Sequence, residues 1–351
     1  MSYEVFNMKC TIIDIAHALN LNRNTVSKAL RNDPGVSEKT RNAVIAKAKE
    51  MDYQMVISQN EDPGLSKSTD SVLFLTRASM NYSGFWMTVM KGIEEVLKLN
   101  NYTLSLAMMD DEDIRTLHFP PVVHNPSVKG IILVELCDLS ICNAALDLGL
   151  PCVSIDMPKD YESLLNRMDI VTMENKFYIH QYVDMLVSKG YRSFAFAGDI
   201  FTYNVGRGFK ERYDALVEEL AVHQLLLNEK ASILRSTDKE LMNSSTIISF
   251  LKELDELPEV YFCGNDWTAM QVMNAVQFLG YRVPEDISII GFDNVIESST
   301  SLPALTTVNT PKEDLGRAAA RCILNRIKAP DTPHVFFQYM TNAVIRNSTN
   351  F

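Results

Sequence analysis

Residues 20–30 read NLNRNTVSKAL, with three asparagines and one arginine inside five consecutive positions, framed by apolar residues at helical spacing. Asparagine is a weak helix former, but it caps helices well and tolerates left-handed backbone. Upstream, Ile12, Ile15, Ala16 and Leu19 recur at i, i+3, i+4 and i+7, one apolar helix face with Thr11 as a hydroxyl cap before it. Asn20 stands where that helix must stop, in a tight turn that needs φ > 0. Leu21 returns to the core and Asn22 caps a second helix, with Val26, Ala29 and Leu30 on its inner face. Arg23, Asn24, Ser27, Lys28 and Arg31 form its outer face. A third helix begins at the cap Ser37 and buries Val44, Ala48 and Met51. Two of the three asparagines thus have structural work, and Asn24 is left pointing outward beside Arg23.

A helix, a tight turn and a polar-faced second helix compose a helix-turn-helix. Arg and Asn carry the paired donors and acceptors that match guanine and adenine edges in the major groove. A solvated face on an ordinary helical hairpin carries the same pattern, and the charges alone do not separate the two readings. The residues around them add specificity. Asp14-Ile15-Ala16, the run TVSKAL at 25–30, GVSEKTR at 35–41 and the closing Tyr53 occur in fixed order and spacing. The stretch resembles the DNA-binding headpiece of the LacI/GalR family of bacterial transcription regulators. The resemblance implies that Arg23 and Asn24 set sequence specificity, that Thr25, Ser27 and Lys28 face DNA, and that Thr11, Asn22, Arg31, Ser37 and Arg41 complete the interface. Asn20 replaces the family's usual glycine and Asn22 its usual serine, both with the local physics kept. The pattern starts near Met8, which makes residues 1–7 a leader or marks Met8 as the start. The headpiece is expected over 8–57.

Residues 58–70 read as a linker by composition, with Pro63-Gly64 near the middle. In the family this segment forms a hinge helix whose leucine wedges into the minor groove. Here Asp62 stands at that position and Pro63 disfavours a helix through it, so a weak or irregular hinge is expected.

At 351 residues the chain suits two or three domains. No apolar run approaches the roughly 18 residues of a membrane span. The opening MSYEVFNMKC lacks signal-peptide character, and six cysteines without a CxxC pair fit buried thiols in the cytoplasm. His118 and His124 read as loop residues, and no histidine spacing suggests a metal ligand set. No cofactor motif is present either. Residues 1–57 carry eight Lys/Arg against six Asp/Glu, a balance of +2, which leaves −13 of the net −11 on the remainder. A mildly basic head on an acidic body fits contact with a polyanion at one end only.

From residue 71 the chain alternates strand and helix patterns. Strands are expected at 71–75, 102–108, 130–134, 152–156, 193–198, 260–264 and 287–293, and helices around 85–99, 176–189, 207–221 and 266–279. Two such series imply an α/β body of two doubly wound parallel-sheet lobes, with ligands at the carboxyl ends of the strands. The resemblance continues through YRVPEDISIIGFDN and LPALTTVNTPKEDLGRAAA, and implies a periplasmic-binding-protein-like body that dimerises and senses a small molecule. One lobe is expected over 71–169 plus 310–335, the other over 170–309 plus 336–351. Candidate effector contacts are Phe85, Trp86, Asp156, Arg212, Asn265, Asp266 and Asp293, with Arg212 and Asp293 foremost. Carboxylates, amides, a forked guanidinium and aromatic faces together suit a sugar or polyol. An Asp at a strand end is also a common cap, and Phe85 and Trp86 also suit a lobe core. The loop at 236–242 lacks the aromatic that many relatives stack on the ligand, with Trp267 the nearest replacement. The reading is a homodimeric, effector-controlled regulator on a pseudo-palindromic double-stranded DNA operator, most often a repressor in this family. The alternatives are a cytoplasmic binding protein that has lost DNA recognition, and an enzyme, for which no P-loop, GxSxG or GxGxxG after a strand is found.

Overall fold

The computed structural model describes residues 12–30, 35–51, 70–78, 84–158, 160–200, 206–234 and 244–351. The chain divides into two compact units, Met1–Ser68 and Thr69–Phe351.

The first unit holds α1 (Ile12–Leu19), α2 (Arg23–Leu30) and α3 (Glu38–Glu50). Its core is small: Ile15, Ala16, Val26, Ala29, Val36, Val44 and Ala48, with Leu19, Leu21, Ile45 and Met51 packed against it. The turn between α1 and α2 follows the sequence reading. Asn20 has φ 52°, its N–H donates to the His17 carbonyl at 3.2 Å, and the Leu21 N–H reaches back to the Ala16 carbonyl at 2.9 Å. That pair of bonds is a Schellman cap with the left-handed residue at its centre. The Asn22 carbonyl accepts from the Thr25 and Val26 amides, starting α2. Ser37 caps α3, its Oγ accepting from the Thr40 amide at 3.3 Å. Thr11 and Arg31, like linker positions 58–69, lie outside the described residues.

The second unit begins with β1 (Ser71–Arg77), α4 (Gly84–Leu99), β2 (Thr103–Met109), α5 (Asp111–Thr116), β3 (Val128–Val134), α6 (Leu139–Asp147), β4 (Cys152–Ile155) and β5 (Asp169–Met173). There follow α7 (Phe177–Ser188), β6 (Phe194–Ala197), α8 (Gly208–Val222), α9 (Ser244–Lys252), β7 (Val260–Cys263), α10 (Asp266–Phe278), β8 (Ser288–Ile290) and α11 (Ile296–Thr300). The chain ends with β9 (Thr307–Asn309), α12 (Lys312–Lys328), β10 (Phe336–Tyr339) and β11 (Asn342–Val344). Two sheets organise them, β10-β5-β4-β3-β1-β2 and β6-β7-β8, with β9 and β11 paired antiparallel beside them. Every pairing within the two larger sheets is parallel.

Parallel strands covered on both faces must be apolar at successive positions, and β1 shows why its residues suit this. Val72 and Phe74 pack under α4 and α12, while Leu73 and Leu75 pack under α6. Helices α4 and α12 approach backbone to backbone, because a Cβ on Gly92 would lie 2.1 Å from the Glu313 carbonyl oxygen and one on Gly316 2.0 Å from that of Val89. In the second lobe α7 and α8 cover one sheet face and α9 and α10 the other.

The lobe limits expected at 169/170 and 335/336 fall inside the first sheet. β5 pairs with β4, and β10 pairs with β5, so 170–173 and 336–339 belong to the first lobe. The β5 run starts with Asp169, and an acidic first residue reads as loop. In the fold that carboxylate is 1% exposed and is held by Arg326 of α12 at 2.9 and 3.2 Å and by the Val335 amide at 2.8 Å. A buried acid with its charge and lone pairs matched can open an interior strand. Among the described residues Cys137, Cys142, Cys152 and Cys263 are buried free thiols, and His118 and His124 are exposed.

The Asn20 turn gives a direct test. Asn20→Gly should leave the first unit as stable as the parent or slightly more so, whereas Asn20→Val should cost about 1–2 kcal/mol, because a β-branched residue resists φ > 0. Hydrogen exchange of amides in residues 12–51 of the full chain should quicken in the valine variant alone; equal exchange in both would contradict the left-handed turn.

Candidate functional site

Two groups of residues carry chemistry, one in each unit. On α2, Arg23 and Lys28 are exposed and Thr25 is half-buried, while Asn24 and Ser27 lie on the same helix. Asn22 and Ser37 are exposed at the helix starts. Arg41 is half-buried on α3 and its Nη2 donates to the Val36 carbonyl at 3.2 Å, which ties α3 to the turn before it. A short helix with Arg, Asn, Thr, Ser and Lys on consecutive turns suits groove reading flanked by phosphate contacts.

In the second unit the carboxyl ends of β4, β7 and β8 and the start of α8 converge on Arg212. This residue is 3% exposed. Its Nε donates to Asn175 Oδ1 at 3.1 Å, its Nη1 donates to the Gly264 carbonyl, and its Nη2 lies 3.8 Å from Asp293 Oδ1. The guanidinium stacks on Phe292, with Cζ 3.6 Å from the ring centroid. Asn175 turns its amide to Glu211, donating to Oε2 at 2.8 Å. Burial pulls the Arg212 pKa down, and Asp293, Asp156, Glu211 and Asp266 push it back up.

The acids of this region are shifted the other way. Burial pushes the Asp156 carboxyl up to about 6; the Met157 amide, donating at 2.6 Å, works against the shift. Asp156 adopts φ 77° at the end of β4. Across from it Gly206 has φ 128°, and a Cβ there would sit 2.1 Å from Asp156 Oδ2, so only glycine brings the two lobes this close. Burial also raises the carboxyls of Asp293 and Glu211. Asp293, at φ 108°, is steadied by Thr310, whose Oγ1 donates to its carbonyl at 3.2 Å. Lys312 donates to three backbone carbonyls, those of Asp293, Asn294 and Thr310. At the rim the Arg207 guanidinium of the second lobe lies 5.5 Å from the Tyr161 ring centroid of the first.

Sequence reasoning named Asp156, Arg212 and Asp293, and these meet. Arg212 sits on the second turn of α8, within the helix expected around 207–221, and not in a strand-end loop. Two expectations need correction. Asp266 is 0% exposed and spends its oxygens on the Val295 amide at 2.8 Å and the Thr307 hydroxyl, so it braces the second lobe rather than facing a ligand. Burial pushes its carboxyl up to about 7. Phe85 is 6% exposed within the first-lobe core, edge-on to Trp86 at 4.8 Å. Trp86 is half-buried and donates from Nε1 to Glu135 Oε1 at 2.7 Å. Asn265 caps α10, accepting from the Thr268 amide at 2.9 Å. The buried Trp267 Nε1 has no hydrogen-bond partner among the described residues; the 236–242 loop lies outside them. Asn175, Glu211, Thr310 and Lys312 were not foreseen. Glu211 adjoins Arg212 in the ERY run and was legible there, whereas Asn175 follows a strand the sequence reading missed.

Family comparison agrees with this geometry. The family described as bacterial regulatory proteins, lacI family, matches residues 11–55, and the periplasmic binding protein-like domain matches 183–349. The chain is 27% identical over 341 residues to the probable HTH-type transcriptional repressor ExuR of Bacillus subtilis (strain 168), covering 96% of this chain and 98% of that one. Among solved structures it is similar to the transcriptional regulator CelR–cellobiose complex, with TM-score 0.68 at 22% identity over 97% of this chain and 100% of that one. The lac repressor dimer bound to operator and the anti-inducer ONPF gives TM-score 0.67 at 20% identity over 98% and 100%. The fold is therefore that of a regulator with a helix-turn-helix headpiece and a two-lobed periplasmic-binding-protein-like body. Residues 11–55 thus carry the headpiece of the lacI family of bacterial regulatory proteins.

The raised Asp156 value has a consequence for stability. Between its ordinary 3.8 and about 6 the folded chain holds a proton that the unfolded chain has released, so this contribution is full below 3.8 and is lost as pH rises through 6. Asp156→Asn should remove about 1 kcal/mol of the parent's stability loss between about pH 5 and about pH 7.5, measured by urea unfolding of the full chain. An identical pH slope in both proteins would show that Asp156 titrates normally.

Proposed function

We propose that this chain is a sequence-specific transcriptional repressor of the bacterial cytoplasm, acting as a homodimer on a pseudo-palindromic double-stranded DNA operator. Its operator affinity is set by a neutral polyhydroxylated small molecule, a sugar or sugar derivative, bound between the lobes. The carrying observation is the combination in one chain of a helix-turn-helix that exposes Arg23 and Lys28 and a cleft built on a buried guanidinium among carboxyls.

The charge balance of the cleft supports the neutral class of ligand. Among the described residues Asp156, Glu211 and Asp293 surround Arg212, and Lys312 is committed to backbone carbonyls. An anionic ligand would meet these carboxyls with its own charge, whereas hydroxyls both donate and accept and suit carboxyls that burial raises toward the neutral form. The CelR structure's cellobiose supports the same class by similarity. We read Asp156, Arg212 and Asp293 as effector contacts, with Asn265, Trp86 and Trp267 around them. The names of the relatives support a sensor rather than an enzyme.

Fluorescence anisotropy with DNA from upstream of the chain's own coding region, with and without a panel of sugars, tests the whole reading. Arg23→Ala should reorder preferences among operator variants by about 1–3 kcal/mol. Arg41→Ala should weaken all of them alike and reduce the salt slope by about one. Unchanged preferences in Arg23→Ala would remove α2 from the reading role. At least one neutral sugar should shift operator affinity, and its phosphate ester should not; Asp156→Asn should weaken that sugar's effect about tenfold while unliganded operator binding stays at the parent level. Equal response to sugar and phosphate ester would overturn the neutral-ligand assignment.

A further inference from the structure

Helices α7 and α8 lie against each other on one face of the second lobe. Their facing flanks carry an unusual set of donors. His180 and Asp184 are one turn apart on α7, and Glu219 and His223 are one turn apart at the end of α8, where His223 is the cap residue. His223 Nε2 lies 3.2 Å from Asp184 Oδ1 and 3.6 Å from Glu219 Oε1. One ligand atom from each of Asp184, Glu219 and His223 falls within 4.8 Å of the others, the one such group among the described residues.

Both carboxylates reach ion-pairing distance of the ring, but neither completes a hydrogen bond with it. His223 Nε2 is shielded from solvent and makes no hydrogen bond, although two carboxylates stand beside it. Asp184 Oδ1 is within hydrogen-bond reach of Nε2 at 3.2 Å but is not aligned with it, and Glu219 Oε1 at 3.6 Å lies beyond that reach. Metal–ligand bonds of about 2.1 Å give a tetrahedron with edges of roughly 3.4 Å, and 3.2 and 3.6 Å bracket that edge. The remaining oxygen of Glu219 meets His180 Nδ1 at 2.7 Å, the bond by which a neighbouring imidazole fixes a ligating carboxylate. Lys176, the nearby cation, is engaged with Glu218 at 3.0 Å, which leaves the carboxylates of Asp184 and Glu219 to attract a cation.

We propose that Asp184, Glu219 and His223 bind a late first-row divalent ion such as Zn²⁺, with His180 orienting Glu219 and water completing the tetrahedron. An imidazole with two carboxylates selects such an ion over Mg²⁺ or Ca²⁺, which take oxygen donors alone. The bound ion would join α7 to α8, the helix that carries Glu211 and Arg212 two turns earlier.

The test uses the full chain, stripped with a chelator and titrated with Zn²⁺ against a chromophoric competitor, then with Co²⁺ in the visible. One Zn²⁺ per chain should bind, and Co²⁺ should give the intense d–d bands of a tetrahedral site without thiolate charge transfer. His223→Gln and Glu219→Gln should each weaken Zn²⁺ binding by more than about tenfold, and His180→Gln by up to about tenfold. Asp184 is exposed, so Asp184→Asn should melt as the parent does without metal and still lose affinity. Absence of saturable Zn²⁺ binding in the parent would reduce the cluster to a set of ion pairs. Zn²⁺ binding that survives His223→Gln and Asp184→Asn, or a thiolate band with Co²⁺, would place the ion elsewhere and overturn the proposal.

Discussion

Arg212 is a cation with almost no access to water, and much of the body follows from the need to satisfy it. A buried charge is tolerable only when its donors are used and its field is matched. Three separate segments meet that need. The crossing after β5 supplies Asn175, the loop after β7 supplies the Gly264 carbonyl, and the loop after β8 supplies Asp293 and the Phe292 ring. Each comes from the carboxyl end of a different strand, so the guanidinium fixes where those ends must sit. Removing it would strand Asp293 and open Gly264, a change that belongs to stability as much as to ligand binding. The cleft residue with the strongest functional claim is thus also a keystone of its lobe.

The passages between lobes obey a similar rule. The chain leaves the first lobe after β5, returns between β9 and α12, and crosses again between β10 and β11. Polar side chains without water are matched at two of these crossings: Asn175 bridges Arg212 and Glu211, and Thr310 steadies Asp293. Asp266 does the same work within the second lobe, joining the segments before α11 and at β9. Its oxygens are saturated, which is why an acid at a strand end turned out to be a brace.

The headpiece was legible because its information is local. Helix periodicity, a left-handed turn and a cap are decided within a few residues, and Asn20 and Ser37 do what their chemistry dictates. Most of the strands were legible for the same reason, since an apolar run between turn residues needs no partner to be recognised. What stayed hidden depends on residues far apart in the chain. β5 was not among the expected strands: it opens on Asp169, whose buried charge is matched by Arg326, 157 positions later. β10 exposes both phenylalanines at a sheet edge and shows no buried face to read. The His180, Asp184, Glu219 and His223 set was invisible as a spacing because half of it comes from each of two helices; each turn-apart pair, His180–Asp184 and Glu219–His223, was there to notice, but not their meeting.

The acidic character of the cleft can be reconciled with a neutral ligand through the protonation of its carboxyls. With its pKa lifted by burial to about 6, Asp156 takes up a proton closer to neutrality than an ordinary carboxyl does, so it accepts as a carboxylate and donates once protonated. A sugar hydroxyl has the same duality, and two such groups can settle into whichever arrangement of protons leaves every lone pair and hydrogen matched. A ligand that donates to Asp156 favours its charged form, lowers its pKa and releases a proton; a ligand that accepts from it does the reverse. Either exchange changes the charge of a carboxyl that faces Gly206 across the lobes, where there is no side chain to hold the two apart. With Asp156 as a ligand contact, as proposed, the affinity of one lobe for the other is linked to the ligand through a single carboxyl, and linkage of this kind is reciprocal: whatever the ligand adds to closure, closure adds to ligand affinity. A regulator needs only that differential, because a ligand shifts an equilibrium by no more than its preference for one state over the other.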